Sequence, residues 1–152
     1  MSDQALALKL WVVLNRARNA VSEHDQAHIE SRGITPGEFA VLEALYHKGP
    51  LLLGEIRSKI LVSSGGVTYL VDKLVRRGMV ERQACPSDRR ASYAALTEDG
   101  RQWIGDVFPE HARSIERAVA GLDDDEKRRA IELLRKLGLH AAELDSTSPV
   151  PA

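Results

Sequence analysis

Hydrophobic residues step at threes and fours along most of this chain, the spacing of helices that each carry one apolar face. Over residues 4–31 the stripe is Leu6, Leu10, Val13, Leu14, Ala17 and Val21, and Gly33 ends that helix. "TPGEFAVLEAL" opens the next: Thr35 is its N-cap, Pro36 its first residue, and Glu38 completes a capping box. Lys48, Gly49 and Pro50 break it, and a short helix at 53–60 turns Leu53, Ile56 and Ile60 inward. A tight connection at 61–62 leads to "SSGGVTYLVDKLVRRG". There Val67, Leu70, Val71, Leu74 and Val75 form one face, with Gly65, Tyr69, Asp72, Lys73 and Arg76 opposite, and Gly78 as the stop.

The period then changes. Two strand-like runs, 79–84 and 91–97, are joined by "CPSDRR", whose Pro, Ser and Asp predict a hairpin turn. A long helix starts at about Glu98, and Pro109 is expected to kink it. The last helix lies in "LDDDEKRRAIELLRKLGLHAAEL", capped by Asp123 with Glu126, its apolar positions Leu122, Ile131, Leu134 and Leu137. Residues 145–152 read as a flexible tail. The expected fold is therefore mainly α with a small β-hairpin: a helix–turn–helix followed by a basic hairpin, which is a winged helix, with long helices on either side.

Composition narrows the class. A chain of 152 residues fits one domain, and a helix as long as the first needs a partner subunit to cover it. One cysteine excludes an internal disulfide framework and suits a reducing cytoplasm. The apolar runs are too short for a membrane span; "ALALKLWVVL" contains Lys9 and lacks a cleavage site, so it reads as ordinary helix. The net charge of −1 hides a segregation. Residues 57–90 carry eight Lys/Arg against three acids, net +5, which leaves −6 for the rest. A basic patch on an acidic body is the footprint of a nucleic-acid binder, although a solvated basic surface has the same composition.

Two adjacent glycines at the head of an amphipathic helix are costly, at about 1 kcal/mol each in a helix interior. Ser63, Ser64, Gly65 and Gly66 would offer DNA two hydroxyls and free backbone N–H groups, and the missing side chains would allow close approach. The alternative is a turn before a helix that starts at Val67. Thr68 would meet a thymine methyl or a phosphate, and Tyr69 and Lys73 phosphates. Asp72 would be repelled by DNA and instead orient a neighbour such as Arg76. Cys85 lies near Arg82 and Arg89, whose charges favour its thiolate. "HDQAH" places His24 and His28 one helical turn apart, as in a zinc hydrolase motif, but Asp25 replaces the glutamate and no third ligand follows. Neither an enzyme nor a metal site is expected, and no cofactor.

The stretch from about Thr35 to Gly100 resembles the MarR family of bacterial transcription regulators. The matching signposts are "ITPGEFAVLEAL", "GGVTYLVDKLVRRGMVER", the wing "DRR" and the closing "LTEDG", in the family's order, and the terminal helices match in length and position. "YHKGP", "CPSDRR" and "LLRKLG" resemble the branch that answers quinones and phenolic compounds. The resemblance implies a homodimer over residues 1–152. Helices at 4–33 and 98–144 would form the dimerisation lobe, and two winged helix–turn–helix lobes at 35–97 would read a palindromic operator on double-stranded DNA.

Several roles come with that resemblance. Arg90 would enter the minor groove, held by Asp88 through a charge-assisted hydrogen bond, and Arg89 would touch the backbone. Trp11, Asn15, Phe39 and His111 would line a pocket for a small aromatic effector that releases a repressor from DNA. The family's peroxide sensors carry their cysteine in the first helix, where this chain has none; redox sensing through Cys85 remains an alternative. A winged helix used only for protein contacts is another, and salt separates it, because phosphate contacts weaken steeply as salt rises.

Overall fold

The computed structural model describes residues 2–60 and 66–144; the connection at 61–62, Ser63, Ser64, Gly65 and the tail at 145–152 lie outside the described residues. The chain divides into two compact units, residues 1–117 and 118–152. The first holds α1 (Asp3–Ser31), α2 (Pro36–Lys48), β1 (Leu51–Leu52), α3 (Leu53–Lys59), α4 (Gly66–Arg76), β2 (Val80–Cys85), β3 (Asp88–Leu96) and nearly all of α5 (Glu98–Ala118). The second holds α6 (Asp124–Glu143). The fold is mainly α with a small antiparallel sheet, and α3, α4 and the β2–β3 wing follow one another as in a winged helix–turn–helix.

Local chemistry sets the helix ends. The Thr35 N–H donates to Glu38 Oε2 at 2.8 Å while the Glu38 N–H donates to Thr35 Oγ1 at 3.2 Å, the reciprocal box that starts α2. Asp123 and Glu126 repeat the device at α6, both bonds 2.9 Å. Gly33, Gly49 and Gly78 follow α1, α2 and α4 with φ of 74–77° or slightly below, at 73° for Gly78, where a side chain would be strained.

The core of the first unit gathers Phe39, Leu42 and Leu45 of α2, Ile56 of α3, Val71 and Leu74 of α4, and Ile104 of α5. Only Ile29 of α1 is buried. The predicted stripe of α1 stays open to solvent: Leu6, Leu10 and Val13 are 56%, 52% and 55% exposed. In α6 no residue is buried, and Ile131, Leu134 and Leu137 are all exposed.

The structure corrects the sequence in four places. Leu51–Leu52 forms a strand, pairing Leu51 with Ala94 and Leu52 with Tyr93, so the hairpin is part of a three-stranded sheet in the order β1-β3-β2. A two-residue strand is too short to show a period. The hairpin is also tighter than expected: Cys85 pairs with Asp88 across Pro86–Ser87, so Asp88, Arg89 and Arg90 belong to β3. Val75 is 37% exposed rather than inward, because it lies at the edge of the α4 stripe where the helix leaves the core. In the fourth place the change is one of extent only: α5 runs from Glu98 to Ala118 with Pro109 inside it, so the proline does not end the helix.

The junction of wing and α5 rests on the "LTEDG" segment. The Thr97 hydroxyl donates to the Gly78 carbonyl at 2.6 Å and accepts the Gly100 N–H at 3.1 Å, and the Thr97 N–H donates to the Met79 carbonyl at 3.1 Å. A Cβ on Gly100 would fall inside the van der Waals surface of that Met79 carbonyl. Gly100→Ala is expected to cost about 2–3 kcal/mol by overpacking against backbone that cannot rotate away. Its urea midpoint should fall accordingly; an unchanged midpoint would mean that α5 can back off from β2 freely.

Candidate nucleic-acid interface

The buried face of α4 carries Val67, Val71 and Leu74, which leaves the other side for contact with a ligand. Thr68, Tyr69, Asp72 and Arg76 are exposed there, Tyr69 at 61%. Gly66 is the first residue of α4; Ser63, Ser64 and Gly65 are not among the described residues, so the chemistry expected of them is carried by the sequence alone. Thr68 and Arg90 line one groove of about 550 Å³, together with Glu55 of α3, Arg82 of β2 and Ser92 of β3. The recognition helix and the wing thus share one concave surface, largely apolar, with Arg82 and Arg90 in its lining.

Two carboxylates, Asp72 and Glu38, fix that surface, and the sequence reading missed the cations that each of them pairs with. Asp72 does not serve Arg76. Its Oδ1 accepts from Arg82 Nη2 at 2.6 Å, and Arg82 Nη1 reaches the Ser92 hydroxyl at 3.4 Å, so the carboxylate ties α4 to both wing strands. Arg82 is ten residues away along the chain, beyond the reach of helical spacing. Lys73 is not directed at solvent alone: its Nζ lies 3.5 Å from Glu38 Oε1, beside Arg77 Nη1 at 3.3 Å. Glu38 has no exposed surface. Burial works against its charge, but the backbone and side chain of Thr35, then Lys73 and Arg77, outweigh it and hold the carboxyl below the usual glutamate value.

The wing tip is built from an irregularity in β-pairing. Ala84 pairs with Ser92 but Cys85 with Asp88, so Arg89, Arg90 and Ala91 have no opposite number on β2 and bulge outward. Asp88 does support Arg90, but through the backbone: the Arg90 N–H donates to Asp88 Oδ1 at 2.9 Å. The expected bond to the Arg90 guanidinium is not made, which leaves that guanidinium in the groove. Cys85 is buried by its own hairpin, 3.3 Å from the Ser87 hydroxyl. Hydrogen bonds from the Ser87 side chain and backbone pull its thiol pKa below the ordinary value, against burial. The arginines expected to do this are not the cause.

The four residues expected around an effector separate into two pairs. Phe39 and His111 are buried and in contact, their rings 4.6 Å apart, with Phe108 next to His111 at 5.8 Å. Trp11 is 62% exposed on α1, and the Asn15 side chain donates to the Trp11 carbonyl at 2.8 Å. At about 1.5 Å per residue, Trp11 lies roughly 21 Å along α1 from Asp25, the residue that meets His111. His111 stands between two carboxylates: Asp25 Oδ1 is 2.7 Å from Nδ1, off the line of a hydrogen bond, and Glu43 Oε1 is 3.8 Å from Nε2. His28 faces Glu110, which also pairs with Arg32. Burial, then Arg32 and His111, hold the His28 pKa below its ordinary value. Asp25 of "HDQAH" is thus engaged with His111, and no group of three His, Cys, Asp or Glu among the described residues is placed to hold a metal ion. A second hollow, of about 490 Å³, lies between α2 and α3 and is lined by Ala40, Glu43, Ala44, His47, Lys59 and Ile60. Nothing in the spacing of these residues announces it, since it forms where two helices meet.

The MarR family model matches residues 32–91. The HTH-type transcriptional regulator MhqR of Bacillus subtilis (strain 168) is 44% identical over 135 residues, which cover 89% of this chain and 93% of that one. Sco3205 of Streptomyces coelicolor, a MarR family transcriptional regulator solved in complex with DNA, shares the fold at a TM-score of 0.81 and 21% identity, over 97% of this chain and 93% of its own. Bordetella bronchiseptica BpsR, whose DNA binding is regulated by 6-hydroxynicotinic acid, matches at a TM-score of 0.77 and 25% identity, over 86% and 98%.

One contact at the wing is directly testable. Ser87→Ala removes the hydroxyl that holds the Cys85 thiol pKa down, so alkylation of Cys85 by iodoacetamide at pH 7 should slow. An unchanged rate would place the cause of its thiolate character elsewhere.

Proposed function

The chain belongs to the MarR family of DNA-binding transcription regulators, and we propose that it acts as a homodimeric repressor, released from a palindromic operator by a small aromatic molecule. It is a regulator and not an enzyme. The observation that carries the reading is the shared groove of Thr68, Arg82 and Arg90. Thr68 and Tyr69 on the presented face of α4 would enter the major groove, while Arg90 on its bulge would reach the adjacent minor groove.

Dimerisation is supported by the uncovered apolar faces. A stripe with Leu6, Leu10 and Val13 more than half exposed is what a second subunit would cover, and Ile131 and Leu134 of α6, at 55% and 50%, offer another such face. In a symmetric dimer two recognition helices about 34 Å apart fit successive turns of DNA. A palindrome is the matching sequence. No helix among the described residues is long and apolar enough to cross a membrane. A DNA-bound role would put the protein in the cytoplasm.

An aromatic effector is supported by the regulation of BpsR by 6-hydroxynicotinic acid and by the Phe39–His111–Phe108 cluster between α2 and α5. Trp11 and Asn15 are too far along α1 to join His111 within one protomer, so a pocket using all four would take that pair from the second subunit. The ligand releases DNA only by favouring the subunit arrangement in which the recognition helices are misaligned. The lowered pKa of Cys85 favours a second reading, release on oxidation of that thiol; a Cys85→Ser variant still released by peroxide would end it.

Arg90→Ala tests the groove directly. Affinity for an operator selected from random duplexes should fall by about 1–3 kcal/mol, with the melting temperature and the dimer mass by sedimentation unchanged. Full affinity in the variant would remove the minor-groove contact.

A further inference from the structure

We propose that Glu38 is the positioning residue of the recognition helix, and that it keeps two cations at that helix's C-terminal end, Lys73 of α4 and Arg77 just after it, off the DNA. The proposal rests on the DNA-binding role of α4. Glu38 belongs to α2 and would touch no DNA itself; its side chain is 1% exposed. One carboxylate oxygen accepts the Thr35 N–H at 2.8 Å and so starts α2. The other faces Arg77 Nη1 at 3.3 Å and Lys73 Nζ at 3.5 Å. Arg77 also donates from Nη2 to the Gly33 carbonyl at 3.2 Å. The turn after α1, the first turn of α2 and the C-terminal half of α4 therefore meet at a single buried charge.

Packing agrees with that geometry. A Cβ on Gly37 would lie 3.2 Å from both methyl carbons of Leu70, so the first turn of α2 already rests on α4. The glutamate then fixes how far α4 can roll, and with it which residues it presents.

Its charge has a second consequence. Lys73 and Arg77 are about one-third exposed, so each could in principle reach a phosphate. Doing so would strip a counter-charge from a carboxylate that has no water to replace it, a loss larger than one exposed phosphate contact returns. Arg76 has no ion-pair partner among the described residues and stays available. The helix reads DNA with fewer charges than its sequence suggests, which holds down binding to the wrong sequence and leaves discrimination to the oriented side chains.

The test is the salt dependence of binding of the full-length protein to a short mixed-sequence duplex, where each phosphate neutralised adds about 0.9 to the slope of log K against log salt. Lys73→Met should leave the slope of the wild type unchanged, and Arg76→Ala should lower it by about 0.9. Glu38→Gln keeps an acceptor for Thr35 but frees both cations, so the slope should steepen by up to about 1.8. A loss of about 0.9 in Lys73→Met would overturn the proposal, because it would put Lys73 on a phosphate. Should Glu38→Gln fail to fold, Lys73→Met decides alone, since Arg77 still compensates Glu38 there. A wild type without salt-sensitive binding would instead overturn the DNA-binding role of α4, and this inference with it.

Discussion

A carboxylate with no exposed surface keeps its charge only if cations and donors stand where water would have been. Glu38 meets that requirement with Thr35, Lys73 and Arg77, and the demand dictates much of the first unit. Burying it uncompensated would cost several kcal/mol, comparable with the whole margin of a small domain. The start of α2 and the roll of α4 are therefore one decision rather than two. Leu70 under Gly37 and the Arg77 bond to Gly33 extend the same junction back to the end of α1.

The remaining edges of the reading surface are held by equally short connections. Asp72 binds Arg82, which reaches Ser92, so α4 is tied to the base of the wing. Thr97 joins Gly78 to Gly100 and lets α5 start against the backbone of Met79, just before β2. Only at the tip does the pairing give way, where the bulge at Arg89–Ala91 turns two arginines outward. Rigid support with one projecting tip is the arrangement that precise base or groove contact needs. The aromatic cluster at His111, which stands between Asp25 of α1 and Glu43 of α2, links the long first helix to the same lobe.

How much of this was legible follows from the range of each interaction. Thr35, Pro36 and Glu38, or Asp123 and Glu126, reveal helix starts because capping is completed within three residues. The buried face of α4 was legible for the same reason, up to its edge at Val75. What failed was partnership across the chain. Helical spacing points Asp72 to a neighbour on its own helix, while its partner lies on β2; for Lys73 the spacing shows an outward face but not the carboxylate 35 residues upstream in α2. Glu38 was visible as a cap but not as a counter-charge. Strand β1 is too short for any periodicity, and the tight Pro86–Ser87 turn could not be told from a longer loop without its pairing. Phe39 and His111 do meet, whereas Trp11 and Asn15 lie far along α1, a distance that only the geometry of the helix reveals.

The measurement that bears most directly on the account is a titration of the purified protein against the intergenic DNA upstream of its own gene and against a scrambled duplex of equal length, each at two salt concentrations. The account predicts tight binding to the first, weaker binding to the second, and loss of both as salt rises. Equal affinity for the two duplexes at every salt would contradict sequence reading by this surface, and binding to neither at low salt would contradict DNA recognition altogether.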